Sequence, residues 1–158
     1  MIPYTIKDIS DYILWYCNQK QYYVNAFKLQ QILYFLQAEF LVAHATSLFE
    51  DKIEAVDWGI KIKPIYDEYK IFGSALIPYI EDSDITLSYF ESIIDPKDIE
   101  EIDSIIDIVG PYNWQQLREI ICKQDPWHFT YYYCKNKEII RSRIYSFFYE
   151  KDRIKLDE

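Results

Sequence analysis

The residues of this chain best suited to chemistry are its two histidines and three cysteines. His128 lies midway between Cys122 and Cys134, six residues from each. Zinc sites built from cysteine and histidine usually have closer ligand pairs, such as two cysteines separated by two to four residues. Cys122 and His128 could also act as a nucleophile and its general base. No third residue that would orient the histidine, and no oxyanion-stabilising element, accompanies them. The sequence therefore predicts no catalytic residue, no metal ligand and no cofactor.

A second candidate is the acidic group Glu50, Asp51 and Glu54, whose residue types serve in acid–base catalysis or bind a hard metal ion. An acidic surface loop explains the same pattern more simply. The chain also lacks an HExxH zinc motif, a GxSxG nucleophile turn and a glycine-rich phosphate loop. We therefore expect a protein that is not an enzyme, with a small thiol- or metal-dependent enzyme as the weakest alternative.

The net charge of −9 disfavours nucleic acid as a partner, because the phosphate backbone repels an acidic protein. The charge is unevenly spread, since residues 50–107 are mostly acidic whereas residues 135–155 contain seven Lys or Arg. This basic segment is either a solvated polar face or a patch for an acidic partner. The 16 Tyr and 4 Trp add side chains that are common in protein interfaces.

Cysteine usage and the N-terminus both predict a reducing, cytoplasmic setting. Three cysteines without a CxxC pair do not suggest a disulfide framework, and the first ten residues lack the basic and apolar regions of a signal peptide. The longest apolar segment, residues 25–49, contains too many polar residues for a membrane span, Lys28 and Glu39 among them.

Residues 25–49 also determine the predicted architecture. Asn25 is a suitable N-cap, and residues 27–45 contain no Gly or Pro, which predicts a helix of roughly 30 Å. Its polar residues form two narrow stripes with apolar faces between them, as in a helix packed between two layers. We expect this helix at the centre of the fold. Its predicted core residues are Leu29, Ile32, Leu33, Leu36 and Phe40.

The other elements are predicted from caps, prolines and apolar spacing. Residues 53–58 and 85–89 alternate loosely, which favours a short strand or an extended loop at each. Cys17 falls on an apolar helix face and is expected in the core. Further helices are expected at 6–20, from Pro64 to Gly73, from Asp95 to Gly110, from the Asn113 cap to about 123, at 127–133 and from an Asn136 cap onward.

The predicted fold class is mainly α: a compact single domain of six or seven helices around the long central helix, with at most a small β element. The domain occupies residues 1–150, and residues 151–158 form a charged tail.

Two blocks of the sequence resemble one known family. The first has KLQQILYF at 28–35, LF at 48–49 and IEA at 53–55; the second has DPW at 125–127 and FF at 147–148. Together they are similar to the Panacea domain of SocA-like antitoxins and GepA-like phage-associated proteins. The residues that carry the resemblance, expected to be structural, are Lys28, Leu29, Gln30, Leu33, Tyr34, Leu48, Phe49 and Pro126.

Four positions depart from the family pattern. Val56 stands where the family has Trp, and Ile60 stands where it has Pro. Cys122 and Gln124 replace a His and a Glu of the second block. The loss of these polar groups weakens an enzymatic interpretation further.

The resemblance implies an antitoxin that binds and neutralises a toxin encoded beside it, in some members by presenting the toxin to a protease. The alternative is a phage- or mobile-element-associated interaction protein without a toxin. The sequence leaves homo-oligomer formation undetermined, and no membrane partner is expected.

Partner contacts are predicted on two connectors that precede or follow helix-breaking residues. Trp58 and Trp127 are the aromatic residues of these connectors, where an aromatic side chain serves either the core or recognition. The predicted partner-binding residues are Trp58, Gly59, Lys61, Tyr66, Asp125, Trp127 and His128.

Overall fold

The computed structural model describes residues 2–150 and confirms a mainly α, compact single domain. The described residues form eight α-helices, one or two more than predicted, with a 3-10 turn and one two-stranded sheet. The predicted charged tail, 151–158, lies outside the described residues. The elements are α1 Ile6–Lys20, α2 Ala26–His44, β1 Glu54–Val56, β2 Gly59–Lys61, α3 Lys63–Tyr69, the 3-10 turn Lys70–Phe72, α4 Leu87–Glu91, α5 Pro96–Val109, α6 Trp114–Cys122, α7 Asp125–Tyr133 and α8 Arg141–Glu150.

Helix α2 is the centre of the fold, as predicted. Asn25 caps it by accepting a hydrogen bond from the Lys28 backbone N–H at 2.9 Å, which satisfies a donor of the first turn. All five predicted core residues of α2 are fully buried. The helix packs against α1, α3, α5, α6, α8 and the sheet.

Four polar side chains of α2 are buried as well, and each is hydrogen-bonded to a backbone group elsewhere in the chain: Lys28, Gln30, Gln31, whose amide donates to the Trp114 carbonyl at 3.0 Å, and Gln37. Gln37 accepts from the Leu48 N–H at 2.8 Å and donates to the Phe49 carbonyl at 2.9 Å. Gln30 accepts from the Ile62 N–H at 2.9 Å. Lys28 Nζ donates to the Gly110 carbonyl at 2.5 Å, although burial lowers the pKa of its ammonium group. The polar stripes of α2 therefore fix the loops around it.

These contacts give a physical reason for part of the family resemblance. Lys28 and Gln30 attach α2 to distant backbone, and Leu48–Phe49 is the segment that Gln37 holds. Tyr34, fully buried, donates to Gln124 Oε1 at 2.8 Å and so connects α2 to the segment before α7.

Helices α1 and α5 are joined by a row of tyrosine–aspartate hydrogen bonds, which we call the tyrosine ladder. Each bond runs from an α1 or pre-α1 tyrosine hydroxyl to an α5 carboxylate. Burial is the first cause that raises the pKa of each of these phenols, and it brings that of Tyr4 to about 12. The ladder consists of Tyr4–Asp98, Tyr12–Asp103 and Tyr16–Asp107.

Two predicted elements are wrong. Residues 85–89 do not form a strand or loop throughout, because Thr86 caps the short helix α4 by accepting from the Tyr89 N–H. The last helix begins at Arg141 and is not capped by Asn136. Residues 137–139 instead pair with the edge of β1, where Ala55 N–H donates to the Lys137 carbonyl at 2.8 Å. An exposed strand edge offers backbone partners that a local cap signal does not reveal.

Candidate functional site

The predicted connector at residues 53–58 forms the first strand of a β-hairpin. Ala55 pairs with Ile60, and Val56 pairs with Gly59. Gly59 has φ +114°, a backbone conformation that favours glycine, so the turn depends on this residue type. The hairpin presents the Trp58 side chain next to α2 and α3.

Trp127 lies inside the protein and holds this hairpin from the α7 side. Its side chain is 4% exposed, and its indole N–H donates to the Gly59 carbonyl at 2.7 Å. The indole stacks on Tyr131 with ring centroids 4.5 Å apart. Of the two alternatives for Trp127, the core role is the one observed, and its contact with Gly59 is made within the chain.

Trp58 differs from Trp127 in its solvent exposure and in the hydrogen bonding of its indole N–H. It is partly buried and stacks on Tyr66, with centroids 5.6 Å apart and planes 17° apart. Its indole Nε1 is buried and has no hydrogen-bond partner among residues 2–150. A buried N–H without an acceptor is costly, so this donor calls for an explanation.

A cavity of about 230 Å³ lies beside Trp58. Phe27 of α2 and Tyr66 of α3 form apolar walls, and Lys70 lies at its edge. The Lys61 and Lys70 ammonium groups lie 4.8 Å and 5.7 Å from the Tyr66 ring centroid, and Lys70 also pairs with the Asp67 carboxylate at 3.7 Å. We call Phe27, Trp58, Lys61, Tyr66 and Lys70 the hairpin face.

The structure brings three of the predicted partner-binding residues together, since Tyr66 contacts both Trp58 and Lys61. Asp125 and His128 make other contacts. Asp125 pairs with Arg143 of α8 at 2.9 Å, and the His128 ring lies 4.8 Å from that of Tyr132.

Sequence reasoning missed Phe27, Lys70 and Trp114 at this site. Phe27 lies 4.5 Å from the Trp114 ring and 6.3 Å from the Trp58 ring, and so links the aromatic residues of α2, α6 and the hairpin. Their apolar or basic character was visible in the sequence, but their convergence depends on the packing of three distant elements.

Burial disfavours the nucleophilic thiolate form at two of the three cysteines, Cys17 and Cys122. Cys17, Cys122 and Cys134 are free. Burial raises the pKa of Cys122, and it raises that of Cys17 to about 12, which favours the unreactive thiol over the thiolate. Cys17 is 1% exposed, as predicted for a core residue.

The comparisons identify the family. The model of the family described as antitoxin SocA-like, Panacea domain, matches residues 29–128, and the chain belongs to that family. The matched region runs from α2 through the hairpin to the start of α7, and it includes most of the residues that carry the resemblance. No curated protein and no solved structure matches the chain.

The family assigns the chain an antitoxin-like role, which in general implies a protein partner. Its description names an antitoxin, not an enzymatic activity. Among residues 2–150, no helix is both long and apolar enough to cross a membrane.

Proposed function

We propose that this protein is the antitoxin of a bacterial toxin–antitoxin pair and neutralises its toxin by direct binding. The observation that carries the proposal is the family match over residues 29–128. The toxin is the product of a neighbouring gene, and the pair acts in the cytoplasm. Three free thiols agree with a reducing compartment.

The hairpin face is the proposed centre of the toxin-binding surface. Its aromatic side chains and its cavity suit an apolar anchor residue of a partner, the arrangement typical of interface hot spots. A partner side chain or backbone carbonyl that enters beside Trp58 would accept from the unpartnered indole N–H. The free-energy cost of the unpaired buried N–H would thus be present in the free protein and removed in the complex.

Charge complementarity adds a second element to the proposal. The chain carries a net charge of −9, which speeds encounter with a basic toxin. Lys61 and Lys70 are the basic residues of the hairpin face, and Lys70 is paired with Asp67, so Lys61 is the proposed contact for an acidic toxin residue beside the apolar anchor. Asp125 and His128, which make other contacts, are proposed as further toxin contacts outside the hairpin face.

The proposal is tested by co-expression with the product of the neighbouring gene. Expression of the toxin alone should arrest growth, and co-expression should restore it and yield a complex in size-exclusion chromatography. Persistent growth arrest together with the absence of a complex would rule the proposal out. An adaptor role would add one result, a shorter toxin half-life that depends on a cellular protease.

A further inference from the structure

A second polar cluster lies where the C-terminal end of α2 meets the N-terminal half of α5. His44 is the last residue of α2, and Asp98 and Glu101 lie three positions apart on α5, hence on one face of that helix. One potential ligand atom of each side chain lies within 4.8 Å of those of the other two. Among residues 2–150 this is the only such group of three His, Cys, Asp or Glu side chains.

The residue types of the cluster suit a divalent transition ion. Imidazole nitrogen and carboxylate oxygen are both ligands of Zn²⁺, and three protein ligands leave a fourth position open to water. Metal–ligand bonds of about 2.0–2.2 Å around a tetrahedral ion place ligand atoms roughly 3.5 Å apart. The ligand atoms of this cluster need only small side-chain adjustments to reach that spacing.

Two of the three side chains are oriented by neighbours outside the cluster. The Tyr4 hydroxyl donates to Asp98 Oδ2 at 2.5 Å, and the Phe40 ring lies 5.2 Å from the His44 ring. Contacts of this kind hold ligands in place before an ion arrives. The His44 side chain is 39% exposed, which leaves a path from solvent.

A second observation concerns the Glu101 carboxylate of the cluster. Glu101 Oε1 is paired with His44 Nε2 at 2.7 Å, but Glu101 Oε2 is buried and has no hydrogen-bond partner among the described residues. A buried carboxylate oxygen without a donor is costly, and the nearby Asp98 carboxylate increases the local negative charge. A divalent cation between the three side chains would bind the unpaired Glu101 oxygen and would offset the negative charge of the two carboxylates.

We propose that His44, Asp98 and Glu101 form a Zn²⁺ site that ties the end of α2 to α5. Water completes the coordination, and the ion has a structural role. The site is separate in its residues from the hairpin face and does not depend on the identity of a toxin.

The test uses the full chain without a histidine tag, stripped with a chelator and then dialysed against Zn²⁺. Mass spectrometry of the metal content should give one zinc per chain, and zinc should raise the thermal midpoint by roughly 5 °C. His44→Ala and Glu101→Gln should lose both effects. His128→Ala, which removes the only other histidine, should keep both.

Wild-type protein that holds no stoichiometric zinc would overturn the proposal. So would His44→Ala or Glu101→Gln protein that binds zinc as the wild type does, or a His128→Ala variant that loses it. Circular dichroism checks that each variant is folded. If His44→Ala does not fold, zinc binding by the conservative Glu101→Gln variant decides whether the proposal stands.

Discussion

The tyrosine ladder and the hairpin face use similar residue types in opposite ways. In the ladder, phenol hydroxyls donate to α5 carboxylates, so the polar end of each aromatic side chain is satisfied within the chain. On the hairpin face, the Trp58 indole N–H is buried and has no partner within the described part of the chain, and the Trp58 side chain lines a cavity of about 230 Å³.

This difference is the basis on which we propose a recognition role for the hairpin face and a structural role for the ladder. An aromatic side chain whose polar atom is paired inside the fold stabilises the packing of two helices, as Tyr12 does with Asp103. One whose polar atom is left unpaired next to a cavity gains most when another molecule supplies the partner. The composition of 16 Tyr and 4 Trp does not distinguish these two uses.

The largest expected effect is on toxin binding. Trp58→Ala should weaken the affinity for the toxin by about 30-fold or more, roughly 2 kcal/mol, because it removes a central aromatic anchor and its N–H. Isothermal titration calorimetry measures the change. Tyr23→Ala is the matched control, since Tyr23 is 71% exposed and outside the hairpin face, and its affinity should equal that of the wild type. Equal loss in both variants would refute a specific role for Trp58.

In the ladder, the effect should fall on stability. Tyr12→Phe should lower the free energy of unfolding by about 1–3 kcal/mol, because the half-buried Asp103 carboxylate loses its donor. Denaturant titration gives the value, and toxin affinity should stay unchanged. A variant as stable as the wild type would show that the ladder does not stabilise the α1–α5 contact.

The ladder should also make the protein sensitive to alkali. An unfolded tyrosine releases its proton near pH 10, whereas the folded-state pKa of Tyr4 is about 12. The folded state therefore binds more protons between these values, so stability is full below pH 10 and falls as pH rises from 10 to 12. Thermal midpoints measured across this range should fall, and less steeply in Tyr12→Phe, which lacks one phenol of the ladder. If the thermal midpoint fell equally steeply with pH in both proteins, the alkaline sensitivity would not come from the ladder.

The smallest expected effect sharpens the contrast between the two regions. Trp58→Phe should lower the free energy of unfolding by no more than about 0.5 kcal/mol, because the packing lost with the larger ring is offset by removal of a buried N–H that has no partner among residues 2–150. The same change should weaken toxin binding several-fold, as expected for one lost hydrogen bond of about 1 kcal/mol. Strong destabilisation without any change in affinity would place Trp58 with the ladder residues instead.

The sequence predicted those parts of the fold that local patterns determine. The mainly apolar segment without Gly or Pro after the Asn25 cap predicted α2 and its buried residues, and the Asn113 capping box predicted the start of α6. Residues 137–139 were misassigned because their partner, β1, lies far away in the chain. Helix α4 was missed because five residues show too little periodicity to distinguish helix from strand.

The candidate sites also contain residues that local sequence predicted and residues that only the tertiary structure brings together. Trp58 and Tyr66 were predicted from their connector and from the family resemblance, but Phe27 enters the hairpin face only through the packing of α2. His44 and Glu101 are 57 residues apart, and no sequence spacing brings them together. Convergence of this kind depends on tertiary structure.

The most direct test of the proposed binding surface is amide hydrogen exchange of the protein with and without its toxin. Toxin binding should slow exchange in the hairpin at 54–61 and in the adjoining segment 63–72, and leave α5 at 96–109 unchanged. Protection that falls on α5 and spares the hairpin, or no protection at a toxin concentration that saturates growth rescue, would contradict binding through the hairpin face.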